Sequence, residues 1–549
     1  MSDTGDVSAE ALLGSTVECA GCGHRADDGD AEPFRCPAAA AGDATGGRDN
    51  DVDHVMTVRL DLAGTAFPSP DTRAQSPFLR FRRLHHAWRL ARRRGLGDQD
   101  YLDLVSDLDD RVAAAWGHGF APASLSRVAP IALGLDRLVP GAELWLLDES
   151  GGVAGSHKAR HLMGLALHLA VVERAGLGVG GHGSVSAGDA GVTASVSGRP
   201  LAIASCGNAA LAAAVIARAA ERPLQVFVPP WAEPAVVTRL RALGADIVTC
   251  PRGPDDPPGD PCYHRFLAAV DAGALPFACQ GNQNGLTIEG GRTLGWELAG
   301  HARDAGADGF DHLALQVGGG ALASSVIQGL RVARELGVIT HLPAVHAVQT
   351  QGAHPLWRAW RRAALGAAKR VFGQSPELVL GAAAAPDAEP DLHADAALAR
   401  ALAGPSAGHP ADRSDHPAVD AAIRAQMRHA RTHRGHYMWP WEREPASVAT
   451  GILDDETYDW AVIVEAMLAT GGWPVVVADE LFIEARDRAR AALGVPVSAT
   501  GAAGLAGLLA LGRAGLVSGP GDRPPRLAAL LTGVEHDADS PPPAPPPRP

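Results

Sequence analysis

The chain has 549 residues, enough for two or more domains with cores of their own, and its 46% hydrophobic and 20% charged content is ordinary for a globular protein. A formal net charge of −14, with no dominant Lys/Arg block, argues against nucleic acid as a partner. The most apolar long stretch, LAIASCGNAALAAAVIARAA, is interrupted by Gly207, Asn208 and Arg218, so no membrane span is expected.

Residues 1–60 read as a small Cys-bearing leader with CAGC, FRC and a loose acidic, Gly-rich segment. Its acidic start lacks the basic lead and apolar run of a signal peptide, and seven cysteines make no disulfide framework in so long a chain, so a cytoplasmic location is expected. Residues 61–135 read as a helical lead-in, with helical periodicity and many charges from about Pro77 to Ala113. Short β-type runs then alternate with helical ones. PLAIAS, LQVFVPP, ADIVTCP and DHLALQV read as strands, and NAALAAAVIARAAE, PAVVTRLRALG and LASSVIQGLRVAREL as helices. That alternation implies parallel sheet covered by helices, an α/β fold. GGHGSVSAGDAGVTASVSG (180–198) and AAAAPDAEPDLHADAAL (382–398) read as flexible or inserted loops, and the proline-rich end, within 535–549, as a disordered tail.

Four segments share a chemical theme. Lys158, in GSHKARHLMGLAL, is one of two lysines in a chain whose other basic residues are arginine, and it stands where a Gly-containing turn enters a helix. An amine in such a setting can become nucleophilic, which a guanidinium cannot. In SCGNAALAAAV a strand ends in Ser205-Cys206-Gly207-Asn208. The N–H groups of that helix start can bind an anion such as a substrate carboxylate, or the segment is an ordinary turn with an Asn cap. LQVGGGALASS places Gly318, Gly319 and Gly320 before a helix beginning at Ala321 and Leu322, a cup suited to phosphate. It is neither a dinucleotide fingerprint nor a P-loop, which argues against NAD and ATP. LAALLTGVEHD is an apolar strand ending in Thr532, whose hydroxyl suits a heterocyclic nitrogen or simply closes the strand. An amine, an amide for a phenolic oxygen, a phosphate cup and a hydroxyl for a ring nitrogen are together the binding needs of pyridoxal 5′-phosphate.

In order and spacing these segments resemble the fold-type II pyridoxal-phosphate enzymes, the group of tryptophan synthase β, threonine synthase, serine/threonine dehydratase and cysteine synthase. EGGRTLGWELA and SATGAAGLAGLLAL are similar to two further helices of that family. The resemblance implies a catalytic region over 136–534 made of two parallel-sheet α/β domains, with 165–300 as the smaller inserted one and the cofactor in the cleft between them. It implies that Lys158 carries the cofactor as an internal aldimine and moves protons at the substrate α-carbon. Asn208 would then contact the 3-hydroxyl, Gly318 to Leu322 the phosphate, Thr532 the ring nitrogen, and Ser205, Cys206 and Gly207 the substrate. Leu147 stands where relatives carry a lysine, and Lys158-Ala159-Arg160 where they carry Lys-Asp-Arg. Arg160 could hold a substrate phosphate or serve as a surface or helix-stabilising residue. His157 is similar to the histidine that reaches the cofactor phosphate in tryptophan synthase β.

The leader and the stretch GILDDETYDWAVIVEAMLATGGWPVVVADELFIEA look most like threonine synthase. The expected activity is therefore that of a lyase on a small hydroxy- or O-phospho-amino acid. A serine/threonine ammonia-lyase, a β-replacing cysteine synthase-like enzyme and a non-catalytic cofactor-binding protein stand as alternatives. The expected partners are an amino-acid substrate and, compatibly with the family, a second copy in a homodimer. Cys19, Cys22 and Cys36 make three quarters of a zinc ribbon, with His54 or His24 available to complete it. A metal-free remnant is the expected state.

Overall fold

The computed structural model describes residues 14–41, 51–73, 75–177, 198–254, 256, 259–373, 389–403 and 417–535. The loop expected over 180–198 and the proline-rich tail lie, apart from Gly198 and Glu535, outside the described residues.

Twelve strands are present among the described residues. β1 (Ser15–Cys19) and β2 (Met56–Leu60) pair antiparallel in the leader. β3 (Ser124–Val128) and β4 (Glu143–Asp148) open the large sheet. β5 (Leu201–Ala204), β6 (Leu224–Val228), β7 (Asp246–Thr249) and β8 (Leu275–Pro276) form a separate four-stranded sheet in the order β7-β6-β5-β8, parallel throughout. β9 (His312–Gln316), β10 (Ala344–Thr350), β11 (Val475–Val477) and β12 (Arg526–Leu531) complete the large sheet in the order β11-β10-β9-β12-β4-β3. Every pair in it is parallel except β3–β4. Helices cover both faces of such a sheet, so its central strands are buried along their whole length, as β9 and β10 are.

In chain order, β12 arrives last, yet it lies between β9 and β4, with Ala528 opposite both Leu313 and Trp145. Three parallel neighbours therefore end at one edge. The chain leaves β9 into the glycine run, β12 into Thr532, and β4 into the turn that leads to Lys158. Close helix packing supports this edge. The helix Thr287–Asp304 crosses the helix Lys158–Arg174 at Gly290, where a Cβ would collide with the Arg160 carbonyl. It crosses the helix Ala321–Glu335 at Gly295, where a Cβ would strike the Val326 carbonyl. Only glycine permits both contacts.

Two expectations are corrected. The helical lead-in carries the helices Pro77–Arg80, His86–Arg93 and Asp98–Trp116, but ends in β3, the antiparallel edge strand of the large sheet. SLSRV is half exposed and short of apolar residues, so its sequence carries little strand signal. The segment read as a loop over 382–398 contains the start of a helix, Leu392–Ala403. Asp395 in that helix is buried against Arg361 at 3.1 Å and the Trp357 indole N–H at 2.7 Å, partners remote in sequence. No helix among the described residues is long and apolar enough to cross a membrane.

Candidate active site

Lys158 is the first residue of a buried 17-residue helix, and the turn before it is unusual. Ala154 and Gly155 both have positive φ, 56° and 67°, and the Gly155 carbonyl accepts the Val534 N–H at 3.1 Å. That bond ties the lysine turn to the end of β12. A left-handed alanine is an uncommon conformation that its surroundings must enforce. Immediately before the lysine, His157 is buried, and neither of its ring nitrogens has a partner among the described residues. Burial, and then the Lys158 charge, push its imidazole well below the usual histidine range, so it is neutral. His161, one turn on, is held at about 3 by the same two causes and donates its Nδ1–H to the Thr287 carbonyl, 2.8 Å away.

Asn208 begins the helix Asn208–Ala219 directly after β5. A Cβ on Gly533 would stand 3.2 Å from the Asn208 amide nitrogen, and Gly533 itself has φ of 82°. The amide is therefore packed beside Thr532 at the end of β12, and glycine at 533 is required both for its conformation and for that approach. Thr532 is buried and accepts a hydrogen bond from the Gln316 amide at the end of β9. Ser205, Cys206 and Gly207 stay partly exposed, with the Gly207 N–H directed to the Ser205 hydroxyl at 3.4 Å. Burial raises the Cys206 thiol, which keeps it protonated at neutral pH.

The glycine run meets a segment to which sequence reasoning gave no role. Residues 454–459 fold over it. The Gly319 N–H donates to Asp454 Oδ2 at 2.7 Å, Thr457 Oγ1 donates to the Gly318 carbonyl at 2.9 Å, and the Asp459 N–H donates to the Gly319 carbonyl at 3.1 Å. Side chains are impossible at 318 and 320, where a Cβ would meet Asp454 and Thr457. Gly320 has φ of 98° and opens the 15-residue helix whose first turn holds the buried Ala321 and Leu322. Burial raises the Asp454 carboxyl, while Lys158 and the Gly319 N–H pull it back. Burial likewise pushes Asp459 up to about 7. Within the chain, the Gly319 N–H of the glycine run thus takes an oxygen of the Asp454 carboxyl as its acceptor.

A second unassigned segment is CQGNQNGLT, 279–287, beside the lysine. The Cys279 thiol lies 4.0 Å from the Lys158 carbonyl. Gln280 Oε1, Asn282 Oδ1, Gln283 Oε1 and Thr287 Oγ1 are buried without partners among the described residues. Runs of Gln and Asn with no periodicity are the one sequence signal that could have flagged it.

Arg160 does not reach the cleft. It is 1% exposed and enclosed by Glu149 at 2.6 and 2.8 Å, Glu297 at 3.0 Å, Thr293 at 3.1 Å and the Ala121 carbonyl at 3.2 Å. Burial opposes its charge, but the two glutamates outweigh that and hold it firmly protonated. The expected contact with a substrate phosphate is corrected accordingly, and so is the expectation of a surface residue. Its donors are committed to the wall of the site.

Residues 129–396 match the profile of a family described as pyridoxal-phosphate dependent enzyme. Over these residues the chain is similar to that family. These residues fit the cofactor: a glycine run opening a helix, a lysine at a helix start, an amide and a hydroxyl at two strand ends, and a buried histidine whose ring nitrogens have no partner among the described residues. The fold is similar to maize serine racemase, with 16% identity over 79% of this chain and 94% of that one and a TM-score of 0.46. It is similar to threonine deaminase isoform 2 from Solanum lycopersicum, with 15% identity, 81% and 92% coverage and a TM-score of 0.47. It is also similar to diaminopropionate ammonia lyase from Escherichia coli, with 15% identity, 80% and 90% coverage and a TM-score of 0.48. No curated protein sequence matches the chain.

Proposed function

We propose that this pyridoxal-phosphate enzyme is a lyase acting on a small hydroxy- or O-phospho-amino acid, with Lys158 as the amine that carries the cofactor. The observation that carries the reading is the convergence of the lysine turn, the glycine cup and Thr532 at one sheet edge, with Asn208 brought against them from the smaller sheet. Bound there, the cofactor supplies a conjugated ring that stabilises negative charge at the substrate α-carbon. The Gly318–Leu322 backbone would grip its phosphate, Asn208 its 3-hydroxyl and Thr532 its ring nitrogen. The Ser205–Asn208 helix start would receive the substrate carboxylate. Released from the cofactor, the Lys158 amine would take and return the α-proton at short range, an effectively intramolecular transfer.

The enclosure of Arg160 favours the unphosphorylated substrate class, because it removes the one cation assigned to a substrate phosphate. On serine or threonine the reaction would expel the α-proton and the β-hydroxyl as water, then take up water and release ammonia and a 2-oxo acid. The test begins with cofactor-loaded protein reduced by borohydride. Peptide mapping should find the adduct on Lys158, and Lys158→Ala should lose the near-visible band; an adduct elsewhere overturns the assignment. Oxo-acid release from serine or threonine is the expected activity. Threonine and phosphate formed from O-phosphohomoserine would instead identify a threonine synthase-like reaction. Absence of α-proton exchange in heavy water on every amino acid tried would leave a non-catalytic binding protein.

A further inference from the structure

In the leader, four side chains from three separate turns come to one point. β1 ends at Cys19 and turns back on itself through Gly23, whose φ is 76°, with the Gly23 N–H on the Cys19 carbonyl at 2.9 Å and the Cys19 N–H on the His24 carbonyl at 2.7 Å. This turn presents Cys22. Cys36 begins the short helical turn Pro37–Ala41, and His54 lies just before β2. The Ala20 N–H bonds the Val55 carbonyl at 2.8 Å, and Gly21 sits so tightly against the Asp53 carbonyl that a Cβ would collide with it. The two strands of the leader thus hold the cysteine turn and His54 against each other.

One ligand atom from each of Cys19, Cys22, Cys36 and His54 lies within 4.8 Å of the other three. Two edges of this figure are recorded: Cys19 Sγ to His54 Nδ1 is 3.5 Å and Cys22 Sγ to Cys36 Sγ is 3.6 Å. With Zn–S of about 2.3 Å and Zn–N of about 2.0–2.1 Å, a tetrahedron has S···S edges of about 3.8 Å and S···N edges of about 3.6 Å. The observed edges are those of a zinc tetrahedron drawn without its centre. Backbone amides also point at the sulfurs: those of Gly21 and Cys22 reach Cys19, that of His24 reaches Cys22, and that of Ala38 reaches Cys36. Such donors orient and stabilise thiolate ligands. All seven cysteines are free, so no disulfide competes for these thiols. His24, the other candidate for the fourth position, is exposed and meets the site through its backbone.

We propose that Cys19, Cys22, Cys36 and His54 form a closed, four-coordinate zinc site that clips the leader onto the catalytic body. Coordination of Zn²⁺ by three cysteines releases their three thiol protons to solvent and leaves no position open for substrate, so the site is structural. What it fastens is specific. Phe34, two residues before Cys36, packs edge-on against His168 of the lysine helix at 5.9 Å, and its carbonyl accepts the Gly285 N–H at 3.0 Å. Asp53, next to His54, bonds the Arg431 carbonyl through its N–H at 2.7 Å and pairs with Arg434 at 3.3 Å. The clip therefore bears on 279–287 and on the segment around 431–459, both of which border the cleft.

The experiment is metal analysis on the full-length purified protein, expressed with and without added zinc. One zinc per chain is expected, with an X-ray absorption shell of three sulfurs and one nitrogen. Cobalt substituted for zinc should show the visible bands of a tetrahedral thiolate site. His54→Ala and Cys22→Ser should each weaken zinc binding about a hundredfold or more, since losing even an outer-shell partner typically costs roughly 10–100-fold. His24→Ala should retain the metal. A wild-type protein that takes up neither zinc nor cobalt overturns the proposal even if both ligand variants fail to fold. A Cys22–Cys36 disulfide in non-reducing peptide maps overturns it too, as does a His24→Ala variant that loses zinc while His54→Ala keeps it.

Discussion

In the proposed site, Asp454 lies on the glycine run that would take the cofactor phosphate, and the consequence of removing it can be worked out. Its Oδ2 accepts the Gly319 N–H at 2.7 Å. A hydrogen bond to an ionised partner contributes about 1.5–3 kcal/mol. Before a phosphate can bind, that bond must open, so the measured affinity is lowered by the same amount, and each 1.4 kcal/mol corresponds to about tenfold. Asp454→Ala frees the N–H and also removes a negative charge that a dianionic phosphate would face at close range. Titration of the apoprotein with pyridoxal phosphate, followed by absorbance, should therefore give an affinity roughly 10- to 100-fold tighter than wild type. A faster association rate in stopped flow should accompany it, because the segment 454–459 no longer anchors on Gly319. The same measurement repeated with inorganic phosphate should show the improvement for the anion alone. A folded Asp454→Ala protein that binds the cofactor no better than wild type would mean that the carboxylate supports the bound state, and the competition argument would fail.

Three further outcomes follow from the buried charges and the glycines. Glu297 is fully buried, and burial raises its carboxyl from the ordinary glutamate value to about 7, against the pull of Arg160. The folded state then binds more protons than the unfolded chain between about pH 4.3 and 7, so this group's stabilisation is complete below about pH 4.3 and falls by about 3 kcal/mol as pH rises to 7. Glu297→Gln should flatten the melting temperature against pH over that window, and an unchanged slope would refute the assignment. Arg160→Met strands Glu149 and Glu297 in the interior and should destabilise the fold by about 3–5 kcal/mol in a urea melt, whereas a substrate-binding arginine would leave stability intact and raise KM. Gly533→Ala combines a left-handed φ with pressure on Asn208; left-handed strain of about 1–3 kcal/mol should lower the melting temperature, cofactor affinity of the folded protein should drop about tenfold, and an unaltered affinity would separate Asn208 from the cofactor.

Much of this architecture was legible because its signals are local. The junction at Asn208 combines a buried apolar run, a Ser-Cys-Gly turn and an alanine-rich helix, each readable within a dozen residues, and the glycine run before Ala321 is read the same way. What escaped was decided by partners remote in sequence. Nothing near Arg160 announces that Glu297 will meet it, and a guanidinium beside a candidate catalytic lysine reads as a ligand until its partners are known. Asp454 and Asp459 sit in a stretch whose acidic content suggests a solvated surface, yet Asp459 is buried and Asp454 half-buried because the chain folds back over Gly318–Gly320. The strand β3 was missed for the opposite reason: half its residues face solvent, and its place in the sheet is settled by pairing with β4 rather than by its own apolar pattern.

The polar groups around the cleft fall into two populations, and the division itself points to the working surface. Arg160 with its two glutamates and Thr532 with Gln316 have their partners in the folded chain, so they build walls. The His157 ring nitrogens and the side-chain oxygens of Gln280, Asn282 and Gln283 are buried with none among the described residues. Each such group costs about 1–3 kcal/mol if it stays unmet, so a ligand or an ordered water that reached it would be favoured. These groups cluster on the two segments flanking Lys158, where a ligand with a phosphate, a ring hydroxyl and an amino-acid carboxylate would satisfy several of them at once. Local inconsistency of this kind is where a sequence is shaped by function against stability. The leader braces one of these segments through the Phe34–Gly285 bond, so the most costly part of the cleft is also the part held from outside.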